Sequence, residues 1–329
     1  MSAHKHSLDR PLDPRIKQLE QECDGPLLAA IKDDEIIEIM LNPDGALWVE
    51  HYKKGMYDTK KVISPEQAQR IMRKIAGIKG MTINFDNPIL ECEFPIDDSR
   101  FEGMLPPIVE APAFTIRKKA DRIYTFQDYI NRGTLTEAQA KAIREAISER
   151  KNILICGGPG SGKTTFTNAC IHELTELVAD NERLLILEDV REIQCAAENK
   201  IFMLTNLLSP NPIDLQKLLY VALRMRPDRL IVGEVRDRAM LALLKAWNTG
   251  CPGGIATIHA NDTHSAIERC LSLSEEAGVV KPISLLLETI QVIVSVERDN
   301  KTMKRRIKNV SLLTGYNPKN GTFLFKELA

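Results

Sequence analysis

The chain has 329 residues, 43% hydrophobic and 27% charged, which is more than one compact core usually holds, so two domains are expected. Its 44 Lys and Arg offset 45 Asp and Glu to a formal charge of -1, excluding the chain-wide basic field that drives non-specific nucleic-acid binding. No apolar run is long enough to span a bilayer, and the opening MSAHKHSLDRPLDPR lacks the apolar core of a secretory signal. Seven scattered cysteines (Cys23, Cys92, Cys156, Cys170, Cys195, Cys251, Cys270) form no C-x-x-C pair, so they read as reduced thiols rather than a zinc site.

The polar start reads as loosely ordered up to about Pro14. Arg15 to Lys32 then reads as a helix interrupted at Gly25-Pro26. Two β-rich runs flank Asn42-Pro43-Asp44-Gly45, a hairpin signal. Ser64-Pro65 opens a helix that runs to about Ile78 and stops before Gly80. Short strands broken by prolines fill residues 81–117. The first third is therefore an α+β unit, assigned to residues 1–120.

A linker is expected at 121–134, and a second domain at 135–329. Thr136 opens a helix through Arg150, after which strands and helices alternate. The strands are NILIC, RLLILE, RLIVG and GIATIH, with a loop between RLLILE and a helix at Asp214–Met225, and a last helix from Thr263 to Glu276. Short apolar strands alternating with helices imply a mainly parallel sheet covered on both faces.

Gly157-Gly158-Pro159-Gly160-Ser161-Gly162-Lys163-Thr164 matches G-x-x-x-x-G-K-[ST] in full, between an expected strand and an expected helix. The glycines let backbone N–H groups curl around phosphates, and the helix start adds its positive dipole end. Lys163 suits the β- and γ-phosphates and the Thr164 hydroxyl suits Mg²⁺, with Thr165 the next residue of the nucleotide site. No guanine-reading N-K-x-D follows, which favours ATP.

Further chemistry falls at strand ends, the edge where ligands sit in such sheets. RLLILE ends in Glu188 beside Asp189, and RLIVG runs into Glu234. A carboxylate there holds Mg²⁺ through water, or the attacking water itself. Arg236 stands beside Glu234, suited to orient it, and His259 ends another strand, where an imidazole can sense the γ-phosphate.

In this order the pieces resemble the secretion-superfamily ATPases of type II and type IV secretion and of conjugation. GGPGSGKT resembles their Walker A, RLLILEDVREIQC their Asp box, LRMRPDRLIVGEVRD their Walker B and GGIATIHAND their His box. LLKAWNTGCPGGIATIHAN is similar to the TrbB-like conjugal-transfer branch, although Cys251 replaces the family's usual His. The zinc-binding insert of the type II branch and the C-terminal segment of pilus-retraction motors are absent.

The resemblance implies a RecA-like P-loop domain behind a smaller α+β N-terminal domain. By the same resemblance Glu188 is the Asp-box acid, Glu234 the Walker B acid and His259 the His-box sensor, with Thr164, and Glu188 or Glu234 through water, on Mg²⁺. The family's N-terminal domain lends arginines to the γ-phosphate, and the matching segments nominate Arg100 and Arg117. An ATP- and Mg²⁺-dependent homohexameric motor is implied. It is expected to be cytoplasmic, held peripherally to the inner membrane by secretion or conjugation components, with no sequence-specific nucleic-acid binding. The basic cluster Lys301, Lys304, Arg305, Arg306 and Lys308 reads as a lipid or partner contact, or as a solvated face. Rival readings are a small-molecule phosphotransferase, for which no acceptor lid is visible, an ATP-binding scaffold and a nucleic-acid motor.

Overall fold

A computed structural model describes residues 13–52, 54–118, 123–178, 181–207, 211–299 and 304–329. The expectation of a loosely ordered start falls on residues 1–12, outside the described residues. The chain divides into two compact units, Met1–Asp121 and Arg122–Ala329.

In the first unit the interrupted helix is two helices, α1 (Pro14–Glu22) and α2 (Pro26–Lys32). Pro26 sits at the start of α2, where its missing N–H costs nothing. Strands β1 (Ile36–Leu41) and β2 (Ala46–His51) form the hairpin around Asn42–Gly45, followed by β3 (Gly55–Val62). Helix α3 (Pro65–Lys79) starts where the Ser64 hydroxyl accepts from Gln67 N. Strands β4 (Ile89–Glu93), β5 (Arg100–Met104) and β6 (Ala113–Arg117) complete an antiparallel sheet in the order β3-β2-β1-β6-β5-β4. One face of the sheet, carrying Ile39, Val49, Phe101 and Ile116, is buried with Ile71, Met72 and Ile75 of α3. The strand period of two sends Glu38, Arg100 and Arg117 to the opposite face.

The second unit begins with α4 (Phe126–Asn131) and α5 (Glu137–Ser148), each opened by a capping box at Thr125 and Thr136. There follow β7 (Ile153–Gly157), α6 (Lys163–Leu177), β8 (Leu184–Glu188), β9 (Lys200–Leu204) and α7 (Leu215–Leu223). Next come β10 (Arg229–Val232), α8 (Ala239–Asn248), β11 (Ile255–His259) and α9 (Thr263–Glu275). The chain closes with α10 (Ile283–Thr289), β12 (Val292–Arg298), β13 (Arg305–Asn317) and β14 (Thr322–Glu327). The sheet order is β14-β13-β12-β7-β11-β10-β8-β9. Pairing is parallel from β12 to β9 and antiparallel at the β13–β14 end.

Both faces of this sheet are covered. Leu154, Leu185, Val232 and Ala256 pack with α7, α8 and α9, while Ile153, Ile155, Ile186 and Ile231 pack with α5 and α6. Burial on both sides is why these strands read as continuous apolar runs.

Three features differ from the sequence reading. The stretch expected as linker, 121–134, carries α4, whose Phe126 is fully buried and stacked on Phe166 at 5.8 Å. A buried aromatic pair binds this segment to the second unit. The expected loop before Asp214 holds β9, an edge strand with half-buried side chains and so no strong apolar signal. The C-terminal helix and strands, α10 and β12–β14, lie beyond the strand–helix alternation expected from the sequence. A short apolar run like that of β12 is ambiguous by periodicity alone.

All seven cysteines are free. Burial pushes Cys23 up to about 12 and Cys156 up to about 11, making them inert at neutral pH.

Candidate functional site

Strand order assembles the site. Strand β11 lies between β7 and β10, so His259 pairs in register with Gly157, the first residue of the phosphate loop. Gly233 N donates to Leu187 O, which brings the Glu234 turn beside the end of β8 and Glu188. Val235 N donates to Thr257 O and Thr257 Oγ1 donates to Gly233 O at 2.6 Å, fixing that turn to β11.

The phosphate loop is shaped by two glycines with left-handed backbones, Gly160 (φ 66°) and Gly162 (φ 94°), where a side chain would be strained. Gly157 is required for another reason: a Cβ there would lie 2.5 Å from both Ser161 Oγ and Val296 O. Gly158, Pro159, Ser161 and Thr164 complete the loop, and α6 follows with Thr165 in its first turn. No side chain caps α6, so its N-terminal N–H groups remain with the loop, as an anion site requires.

Lys163 Nζ donates to Gly157 O at 2.9 Å and Gly158 O at 3.3 Å, and stands 3.1 Å from His259 Nδ1. With an ammonium as donor, Nδ1 is the acceptor and the ring proton falls on Nε2. His259 Nε2 lies 2.8 Å from Glu234 Oε1, close but off the line of an aligned hydrogen bond. Arg236 holds the other carboxylate oxygen, Glu234 Oε2, at 2.9 Å. Lys163, His259, Glu234 and Arg236 thus form one connected row at the sheet edge. The Glu234 carboxylate beside Arg236 holds that guanidinium above its ordinary value.

Glu188 is buried at the end of β8. Its Oε1 accepts from Glu192 N (2.9 Å) and Ile193 N (2.7 Å). Its Oε2 is buried without a hydrogen-bond partner among the described residues, as is Ser161 Oγ. Burial pushes the Glu188 carboxyl up to about 7 against the lowering effect of the two backbone donors. An orphaned buried carboxylate oxygen costs free energy unless something beyond the protein meets it. Together with the uncapped helix start, it fits a site for a hydrated Mg²⁺ and a phosphate chain. The neighbouring Asp189 is exposed and accepts from Thr205 Oγ1 at 3.1 Å.

Asn168 was missed by sequence reasoning. Buried on α6, one turn beyond Thr164, it accepts from Gln194 N at 3.0 Å and donates to Glu192 O at 3.2 Å. It therefore ties the phosphate-loop helix to the loop that Glu188 grips. A lone Asn in a helix carries no signal by itself. Cys251 is buried, with its thiol 3.8 Å from Pro227 O.

Arg100 and Arg117 belong to the first unit and stand directly opposite each other across β5 and β6. Arg100 donates to Glu91 Oε1 at 3.2 Å, and Arg117 faces Glu38 across β1 and β6. Two like charges in register repel, a cost partly offset by these carboxylates.

A P-loop ATPase fold with phosphate-loop, acid and imidazole groups on one sheet edge defines the class. The chain belongs to the type II/IV secretion system protein family, whose model matches residues 20–317. It is 44% identical over 301 residues to the conjugal transfer protein TrbB of Rhizobium radiobacter, covering 92% of this chain and 91% of that one. It is 28% identical over 319 residues to the type IV secretion system protein VirB11 of Bartonella henselae, covering 83% and 87%. In fold it is similar to the Legionella pneumophila ATPase DotB (TM-score 0.61, 19% identity, 91% of this chain and 79% of that one). It is also similar to the pilus retraction motor PilT (TM-score 0.60, 18% identity, 94% and 81%). Among the described residues, no helix is long and apolar enough to cross a membrane.

Proposed function

We propose that this protein is an ATP-hydrolysing, ring-forming motor, a homohexamer that powers substrate transfer or assembly in a type IV secretion or conjugation apparatus. The observation that carries the reading is the row Lys163–His259–Glu234–Arg236 beside the phosphate loop. The loop N–H groups and Lys163 would hold the phosphate chain, and Thr164 would hold Mg²⁺, with Glu188 or Glu234 acting through water. Bound Mg²⁺ would supply charge neutralisation on the phosphate oxygens.

Glu234 is the acceptor for the proton of the attacking water, aligned by Arg236 on one oxygen, with His259 beside the other. His259 touches both Lys163 and Glu234, so a shift of Lys163 toward phosphate is felt at the acid; this is the sensor role. Arg100 and Arg117, as the family resemblance implies, complete the site toward the γ-phosphate, where delocalised and permanently charged guanidinium groups suit the developing charge. Hydrolysis then alters the angle between the N-terminal domain and the ATPase domain, and the motion works on inner-membrane partners from the cytoplasmic side. The relatives' names, a conjugal transfer protein and a type IV secretion system protein, support a role in secretion or conjugation.

The test joins native mass determination, with and without a non-hydrolysable ATP analogue, to phosphate release from Mg-ATP. Nucleotide-dependent assembly to six protomers with turnover is expected. Full-rate hydrolysis by strictly monomeric protein would overturn the ring, and binding without turnover would leave a scaffold.

A further inference from the structure

We propose that Arg298 and Arg305 bracket the outer turn of the phosphate loop and set the affinity of this site for the polyphosphate chain of a nucleotide, an inference that rests on the nucleotide-binding reading above. Arg298 ends β12, Arg305 opens β13, and the two are register partners across the antiparallel pair. Strand β12 runs beside β7, and this brings both side chains onto the loop that β7 feeds.

Arg305 Nε donates to Gly160 O at 3.3 Å. A Cβ on Gly162 would come within 3.2 Å of Arg305 Cδ, and one on Gly160 within 2.8 Å of an Arg298 guanidinium nitrogen. The two arginines therefore lie along the two turns with left-handed backbones. Holding Gly160 O from outside turns the adjoining N–H groups toward the phosphate side, so Arg305 acts as a positioning residue. Both guanidinium groups also place positive charge next to the phosphate cradle.

The alternation of the hairpin sharpens the point. One position along, on the other face, Glu297 and Arg306 neutralise each other at 2.8 Å. Arg298 and Arg305 stand directly opposite one another on the face that meets the loop, so two guanidinium groups lie side by side there. Of the basic cluster, Lys301 lies outside the described residues, Arg306 and Lys308 form a solvated pairing with Glu297, and Arg305 turns to the loop.

Equilibrium binding of a fluorescent ATP analogue and steady-state hydrolysis by the full-length protein test the proposal, comparing R298A, R305A and R305Q with R306A as the same-cluster control. R298A, R305A and R305Q should each weaken binding roughly tenfold, the scale of a lost charge-assisted hydrogen bond. Their KM for Mg-ATP should rise by more than kcat falls, and nucleotide-free thermal midpoints should match wild type. R306A should bind as wild type does. Wild-type affinity in R305A and R305Q, or an equal loss in R306A, overturns the proposal. Failure of the wild-type protein itself to bind would instead overturn the nucleotide reading.

Discussion

Arg236 holds one oxygen of Glu234 at 2.9 Å, and His259 lies 2.8 Å from the other, at the edge of the sheet. Glu234→Gln preserves the shape and removes the charge. ATP binding should stay within about twofold while phosphate release falls at least about a hundredfold. Equilibrium binding and a phosphate-release assay on the same preparation check this, and wild-type turnover would remove Glu234 from the mechanism. Lys163→Ala should abolish nucleotide binding with the fold intact, seen as loss of the nucleotide-induced rise in thermal midpoint.

Glu188 carries a pH signature. Its folded carboxyl is raised by burial to about 7 from an ordinary value of 4.5. Below 4.5 the group is protonated whether the chain is folded or not; between 4.5 and 7 the unfolded chain ionises first. The folded state therefore loses stability as pH rises through this window, and the loss is complete above it. In metal-free buffer, Glu188→Gln should make the melting temperature fall less between pH 5 and pH 8 than in wild type; parallel profiles would show that Glu188 is not the group responsible. The positions of Glu188, Glu234 and His259 at the sheet edge were readable at residue scale because each ends or closely follows an apolar strand. Asn168 was not, since its hydrogen bonds run to a loop that only the packing brings near.

At the scale of elements, α4 shows where local reading stops. Its residues follow a polar stretch and look like connector, yet Phe126 is fully buried against Phe166, which also meets Tyr129 edge-on at 5.3 Å. Phe126→Ala should destabilise the ATPase unit by about 3–5 kcal/mol, measured by urea unfolding followed on this unit. A loss below about 1 kcal/mol would return the segment to linker. The central strands were legible because both faces are buried and the runs are continuously apolar. Strand β9 was not, because at the sheet edge its side chains are only half buried and its identity rests on pairing with β8.

For the molecule as a whole, the role proposed for Arg117 is the one to test outside the ATPase unit. Arg117→Ala should lower hydrolysis by about ten- to a thousandfold in assembled rings while far-UV circular dichroism and oligomer mass stay unchanged. An unaffected rate would make it a surface charge paired with Glu38.

By itself, the sequence determined what is contiguous: the phosphate loop, whose chemistry lies in eight successive residues, and the strand–helix alternation that follows from burial. Only the tertiary structure decided which distant groups meet. Placing β11 between β7 and β10 sets His259 between Lys163 and Glu234, and running β12 along β7 lays Arg298 and Arg305 on the loop. Strand order and register are settled by packing between segments far apart in the chain, and no local pattern of residues carries that information.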